Sequence, residues 1–143
     1  MKLGLIFLAA VFVVSYFLGS LLDNNKQVDS IVTISTCNLL DGSCHVVDKG
    51  IEYELALEGV PSPLTPFDIR VSELSSQPSK VEIKFEMDGM DMGNNYYFLE
   101  KKGQYWGAKV LLPVCSLGRN DWVLRVNILY EEKVYSTDFK FSQ

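Results

Sequence analysis

Three of the four methionines, Met87, Met90 and Met92, lie within a stretch of six residues. The same stretch contains Gly89 and is followed by Gly93, so it is predicted to be a loop that begins where a strand ends. Thioether sulfur is a soft ligand that selects Cu(I) over Mg²⁺, Ca²⁺ or Mn²⁺. The spacing therefore predicts a Cu(I) site in which Met90 and Met92 are the leading ligands and Met87 is a further one.

A packing role is the alternative for the same residues. Met87 continues the alternation of the preceding apolar segment, and methionine often fills the open end of a core. Asp88 and Asp91 lie between the methionines, but two isolated carboxylates do not make a calcium-binding pattern. We interpret them as solvated turn residues.

The three cysteines supply a second set of sulfur atoms. If residues 39–42 form a four-residue hairpin loop, Cys37 and Cys44 face each other and a disulfide is predicted; a two-residue turn at 41–42 would shift the register and separate them. The favoured pairing leaves Cys115 as a free thiol at a strand end. There it is either a small buried apolar residue or a further metal ligand beside the methionines.

His45 is the single histidine, and an exposed position at a strand edge is a better prediction for it than a metal site. With no nucleophile elbow and no glycine-rich phosphate loop, no residues combine an activated nucleophile with its base, so we do not expect an enzyme. The formal net charge is -5, and no basic run interrupts the sequence, which argues against nucleic-acid binding.

The elements that position these residues are predicted to be strands. After residue 22 no segment has a sustained helical period, whereas apolar and polar residues alternate with a period of two, as expected for an antiparallel sheet with one wet face. The alternating segments are 51–57, 67–71, 81–87, 106–112, 122–130 and 135–141. With the turn signals between them they predict an all-β fold, an immunoglobulin-like antiparallel sandwich of seven to eight strands.

The first 22 residues are different in kind. Residues 3–22 carry no charge, and as a helix they would span about 30 Å, the thickness of a bilayer core. A cleaved signal peptide is the alternative, but no small residues stand where cleavage needs them. We predict an uncleaved transmembrane anchor at 1–22, a linker at 23–30 and a domain at 31–143. Lys2 favours an extracytoplasmic domain, where cysteines oxidise.

Several of these motifs together resemble a known family. The stretch 87–93, the segment Leu-Pro-Val-Cys at 112–115, Gly-Gln-Tyr at 103–105 and the spacing of Gly118 and Trp122 are similar to small membrane-anchored YtkA-like and FixH-like domains. The resemblance implies a single-pass protein of the bacterial inner membrane with an immunoglobulin-like domain in the periplasm. It also implies a role in copper handling or in haem–copper oxidase assembly.

Three functions therefore stay open. The first is a membrane-tethered Cu(I)-binding accessory protein whose partner is a respiratory oxidase or a copper-delivery protein. The second is a metal-free module that docks on a membrane complex through Tyr96, Tyr97 and Trp106, since aromatic residues are frequent interface anchors. The third, which no residue singles out, is a sandwich whose apolar mouth holds a small ligand.

Overall fold

A computed structural model describes residues 30–90 and 92–142, apart from the side chains of Ser30 and Ile31. This part of the chain is all-β and contains no helix, so no helix in it is long and apolar enough to cross a membrane. The predicted anchor at 1–22 and residues 23–29 of the predicted linker lie outside the described residues.

Ten strands are formed, and they divide into two sheets of five. In chain order they are β1 (Ser30–Ser35), β2 (Cys44–Asp48), β3 (Ile51–Glu58), β4 (Phe67–Ser72), β5 (Lys80–Glu86), β6 (Tyr96–Phe98), β7 (Glu100–Lys102), β8 (Tyr105–Val110), β9 (Asp121–Tyr130) and β10 (Lys133–Ser142). The first sheet has the order β1-β10-β9-β5-β6 and the second β2-β3-β4-β8-β7. All neighbouring strands are antiparallel except β1, which runs parallel to β10.

The predicted alternation is confirmed, and it builds the core. In the strands that contain the alternating segments, the apolar positions point between the sheets and are mostly buried, while the charged positions point outward. Phe85 lies near the middle of the core, with its ring 6.0 Å from that of Phe67 and 6.2 Å from that of Tyr97. Because both sheets contribute apolar faces to one cluster, the described residues form a β-sandwich.

The number of strands exceeds the prediction of seven to eight. β6 and β7 have three residues each, too few to show a period of two, so periodicity does not detect them. They are separated by a single residue, the buried Leu99, at which the chain crosses from the first sheet to the second. This crossing closes one side of the sandwich.

A disulfide closes the opposite side. The bond between Cys37 and Cys44, with 5.9 Å between the α-carbons, confirms the predicted pairing. The predicted hairpin is wrong, however, because β1 belongs to the first sheet and β2 to the second. The loop between the cysteines crosses between the sheets, and the disulfide joins their edges. A hydrogen bond of 2.6 Å from Thr33 Oγ1 to Asp48 Oδ2 makes a second link there.

The two ends of the first sheet carry different features. Ser30 lies opposite Val134, in the same cross-strand row as Lys80 at the start of β5. Glu86, at the other end of β5, lies opposite Val123. A strand of seven residues spans roughly 20 Å. The methionine loop, residues 87–92, follows Glu86 and is therefore at the end of the sheet away from Ser30.

Candidate metal-binding loop

A tight turn joins the first two of the clustered methionines. The amide of Met90 donates a hydrogen bond of 3.0 Å to the carbonyl of Met87, and the two residues form an antiparallel bridge. Gly89 supplies the left-handed backbone that this turn requires, with φ of 71°. Residues paired directly across an antiparallel bridge point to the same face. The turn thus places the side chains of Met87 and Met90 side by side.

The three methionines differ in burial. Met87 is only 2% exposed and belongs to the core, whereas Met90 and Met92 are half-buried and pack on the edge of the same cluster. The packing interpretation therefore holds for Met87, which continues the inward face of β5. The two remaining thioethers lie at the boundary between core and solvent, where a small ion has access to them.

Asn95 holds the methionine loop against the strand it follows. Its Oδ1 accepts a hydrogen bond of 2.8 Å from the amide of Phe85, and its Nδ2 donates one of 3.3 Å to the carbonyl of Met92. The sequence analysis missed this role. The available signal is the turn sequence that ends at Asn95, because asparagine side chains commonly replace backbone partners in turns.

The loop that carries Cys115 contacts the methionine loop. Arg119 makes the link: its Nη2 donates a hydrogen bond of 3.1 Å to the carbonyl of Asp88, while its Nε donates one of 2.8 Å to Asp121. Cys115 is a free, half-buried cysteine that packs on the core, and its carbonyl accepts a hydrogen bond from Gly118. The structure thus brings this loop and the methionine loop to the same end of the sandwich.

Arg119 also sets the local charge, a role that the sequence analysis missed. Its hydrogen bond to Asp121, helped by the charges of Asp121, Cys115 and Asp88, raises the pKa of Arg119, and the same hydrogen bond lowers the pKa of Asp121. The guanidinium is paired with the Asp121 carboxylate and also contacts the carbonyl of Asp88, so this ion pair lies between the two loops. A thioether binds a metal without losing a proton, whereas a thiol must first be deprotonated, so Met90 and Met92 rank before Cys115 as candidate donors.

The other candidate ligands are engaged elsewhere. Cys37 and Cys44 are consumed by their disulfide. His45 lies exposed on β2, an edge strand, with its Nε2 2.9 Å from Oε1 of Glu52. Within residues 30–90 and 92–142 no three His, Cys, Asp or Glu side chains gather in a way that would hold a metal ion. The thioethers of Met90 and Met92 and the free thiol of Cys115 are the candidate ligands that are not engaged in this way.

The aromatic residues expected at a docking face do not share one face. Tyr96 is exposed on the outer side of β6, whereas Tyr97 points inward and bonds through its hydroxyl to the carbonyl of Leu111 at 3.0 Å. Trp106 is half-buried on β8, in the other sheet. Phe98, which the sequence analysis missed, accompanies Tyr96 on β6 and is 60% exposed.

No family model, curated protein or solved structure matches this chain. The resemblance to YtkA-like and FixH-like domains therefore stays a prediction, carried by the motifs that suggested it.

Proposed function

We propose that this chain is a membrane-tethered, extracytoplasmic accessory protein, not an enzyme, which binds Cu(I) through the methionine loop. The observation that carries the proposal is the turn that sets Met90 beside Met87, with Met90 and Met92 half-buried at an end of the sandwich. Met90 and Met92 are the proposed ligands. Met87 forms the floor of the site and is a third sulfur within the same turn, and Cys115 on the neighbouring loop is the remaining candidate.

The disulfide supports an extracytoplasmic location. Structural disulfides persist in oxidising compartments and are rare in the cytosol, so the bond between Cys37 and Cys44 agrees with residues 1–22 being an anchor and 23–30 a linker. In an oxidising compartment thioethers also have an advantage over thiols as copper ligands, because they form no disulfides. We place the domain in the bacterial periplasm, tethered to the inner membrane.

The strand order supports the finer fold assignment. The order β3-β4-β8-β7 corresponds to strands A, B, E and D of an immunoglobulin-like sandwich, and β10-β9-β5 corresponds to G, F and C. We propose on this basis that the sandwich is immunoglobulin-like, with β2 as an added edge strand. The proposed partner is a respiratory oxidase under assembly or a copper-delivery protein, as the resemblance implies.

Competition for Cu(I) tests the metal site. The full chain in detergent, kept under reductant that leaves copper monovalent, is titrated against a chromogenic Cu(I) chelator. We expect one Cu(I) per chain, and Met90→Leu and Met92→Leu should each weaken binding by about tenfold or more, equivalent to about 1.4 kcal/mol. Asp88→Asn is the matched control, because it alters the same loop without removing sulfur. Stoichiometric binding that survives replacement of all three methionines by leucine would end the assignment.

A second candidate function is a metal-free docking module. The observation that favours it is the exposed pair Tyr96 and Phe98 on the outer side of β6, since aromatic anchors dominate many interfaces. Purification from membranes in mild detergent discriminates between the two. Recovery with oxidase subunits that is independent of copper, and is lost in Phe98→Ala but kept in the exposed control Val60→Ala, would favour docking over copper binding.

A further inference from the structure

The first sheet ends in a strand with an open edge. Among the described residues β1 has a strand neighbour on one side only, which is β10. Its sequence, Ser-Ile-Val-Thr-Ile-Ser, contains neither a charge nor a proline. Val32 and Ile34 point to the outer face and are 51% and 65% exposed. An uncharged edge with exposed aliphatic side chains is a template for pairing with another strand.

The other three edge strands differ from β1. β6 and β7 have only three residues each, and all three residues of β7, Glu100–Lys102, are charged. β2 carries His45 and Asp48, and its first residue is held by the disulfide. Short length and charged side chains are the usual protection of an edge against unwanted pairing. Among the four described edges, β1 is thus the one without such protection.

We propose that β1 pairs with the β1 strand of a second copy of this chain, so that two first sheets join into one continuous sheet. Two identical edges related by a two-fold axis pair in the antiparallel sense, with the same patch used by both copies. Because the two-fold axis is perpendicular to the joined sheet, the outer faces of both copies lie on the same side of it. A residue of the outer face therefore lies opposite a residue of the partner's outer face. If the axis passes through Thr33, Val32 lies opposite the partner's Ile34. The symmetry then also sets Ile34 opposite Val32 of the partner subunit.

This register explains why a second copy fits better than an unrelated strand. The two exposed aliphatic side chains of one edge are covered by the same two side chains of the other, and cross-strand aliphatic pairs stabilise a sheet. Tethering adds to the effect and rests on the proposed anchor. Residues 23–29 reach at most about 25 Å, so copies in one membrane would be confined to a thin layer, where even a small interface can form.

Cysteine cross-linking in membranes tests the pairing and its register. Two full-length copies with different tags, both in a Cys115→Ser background, are co-expressed, one carrying Val32→Cys and the other Ile34→Cys. Oxidation is expected to give a dimer that contains both tags. Val47→Cys, used in place of Val32→Cys, is the matched control. Val47 is likewise an exposed aliphatic residue, at 70%, but it lies on the edge strand β2, so no cross-link is expected from it.

Each outcome decides a point. A cross-link of either variant with itself would contradict the register, and the absence of any cross-link would overturn the pairing. A cross-link from Val32→Cys to a different polypeptide would assign the edge to a partner strand and overturn the dimer. Co-purification of two tagged copies of Val32→Lys should fall at least fivefold relative to Val47→Lys, because each lysine would lie opposite the partner's Ile34 and would replace an aliphatic contact with a desolvated charge.

The same lysine variant separates this proposal from the Cu(I) site. Val32 is on β1, whereas the methionine loop follows β5, and two strands, β10 and β9, lie between β1 and β5 in the sheet. We therefore expect Val32→Lys to bind Cu(I) as the unmodified chain does. Dimers without Cu(I) binding would leave the edge pairing standing and end the metal proposal, and Cu(I) binding without dimers would do the reverse.

Discussion

Phe85 and Met90 are five positions apart, but Phe85 lies in the interior of the sandwich and Met90 lies at its end, partly exposed to solvent. Phe85 is fully buried among side chains from both sheets, Met87 ends the same inward row, and Met90 turns back beside it at the boundary with solvent. The side chains of the interior pack on apolar neighbours, whereas the loop is also held by hydrogen bonds that Asn95 and Arg119 donate to its backbone carbonyls. The stability of the domain and the chemistry of its end therefore depend on different residues, only a few positions apart.

The largest effect is expected in the interior. Phe85→Ala should lower the free energy of unfolding by about 3–5 kcal/mol, because it removes a buried ring and leaves a cavity between the sheets. Phe98→Ala is the matched control and should change it by less than about 1 kcal/mol, because that ring is exposed. Urea unfolding of both variants measures the difference. Equal losses of unfolding free energy in the two variants would contradict the conclusion that Phe85 stabilises the core and Phe98 does not.

Met87 and Met90 provide the closest comparison, since they share one turn. Met87→Ala should cost about 2–4 kcal/mol, as for other buried methionines, and Met90→Ala about 1 kcal/mol or less. Cu(I) affinity should show the opposite pattern for leucine substitutions, with the larger loss at Met90. If Met90→Ala destabilised the domain as much as Met87→Ala, the loop would be part of the core rather than a binding site.

Removal of the disulfide should have an intermediate effect. Replacing Cys37 and Cys44 together by serine removes a short covalent loop and should lower the free energy of unfolding by about 2.5 kcal/mol in the chain-entropy model. Cys115→Ser is the control that leaves the bond intact. Copper binding by the double variant should be unchanged, because neither cysteine is a proposed ligand; a loss would connect this edge with the methionine loop.

The smallest effect concerns the charge that joins the two loops. The hydrogen bond from Arg119 holds the pKa of Asp121 below its ordinary value of 3.8, so this pair stabilises the fold above that pH and loses its contribution as the pH falls through the lowered pKa. NMR titration of the Asp121 carboxyl should give a pKa below 3.8. Arg119→Gln should return it toward the ordinary value, while Arg70→Gln, which removes a guanidinium paired with Glu58, should not.

The sequence predicts the strands far better than it predicts the arrangement of the loops at the end of the sandwich. A period of two identifies the inward faces of β3, β4, β5, β9 and β10, because burial on one face of a sheet imposes it. Periodicity cannot detect a strand of three residues such as β6. It also cannot predict that β1 pairs in parallel with β10, because this pairing joins distant parts of the chain. The disulfide pairing was predicted from spacing although the hairpin assumed for it does not form, because two cysteines seven residues apart can meet across two sheets as well as within one.

For the candidate site, residue type gave the donors and geometry had to rank them. Three methionines in six residues look equivalent in the sequence, and alternation alone suggested that Met87 faces inward. That Met90 lies beside it depends on the turn at Gly89, and that Arg119 reaches the carbonyl of Asp88 depends on how two loops from different parts of the chain meet. Such long-range contacts leave no local pattern.

The position of Ser30 at one end of the first sheet, with the methionine loop at the other, has a mechanical consequence for a tethered domain. The strands of this sheet hold the methionine loop roughly 20 Å from Ser30. Under the proposed anchoring through residues 1–22, this distance would set the thioether sulfurs away from the point of attachment, on the side of the domain that faces partners rather than lipid.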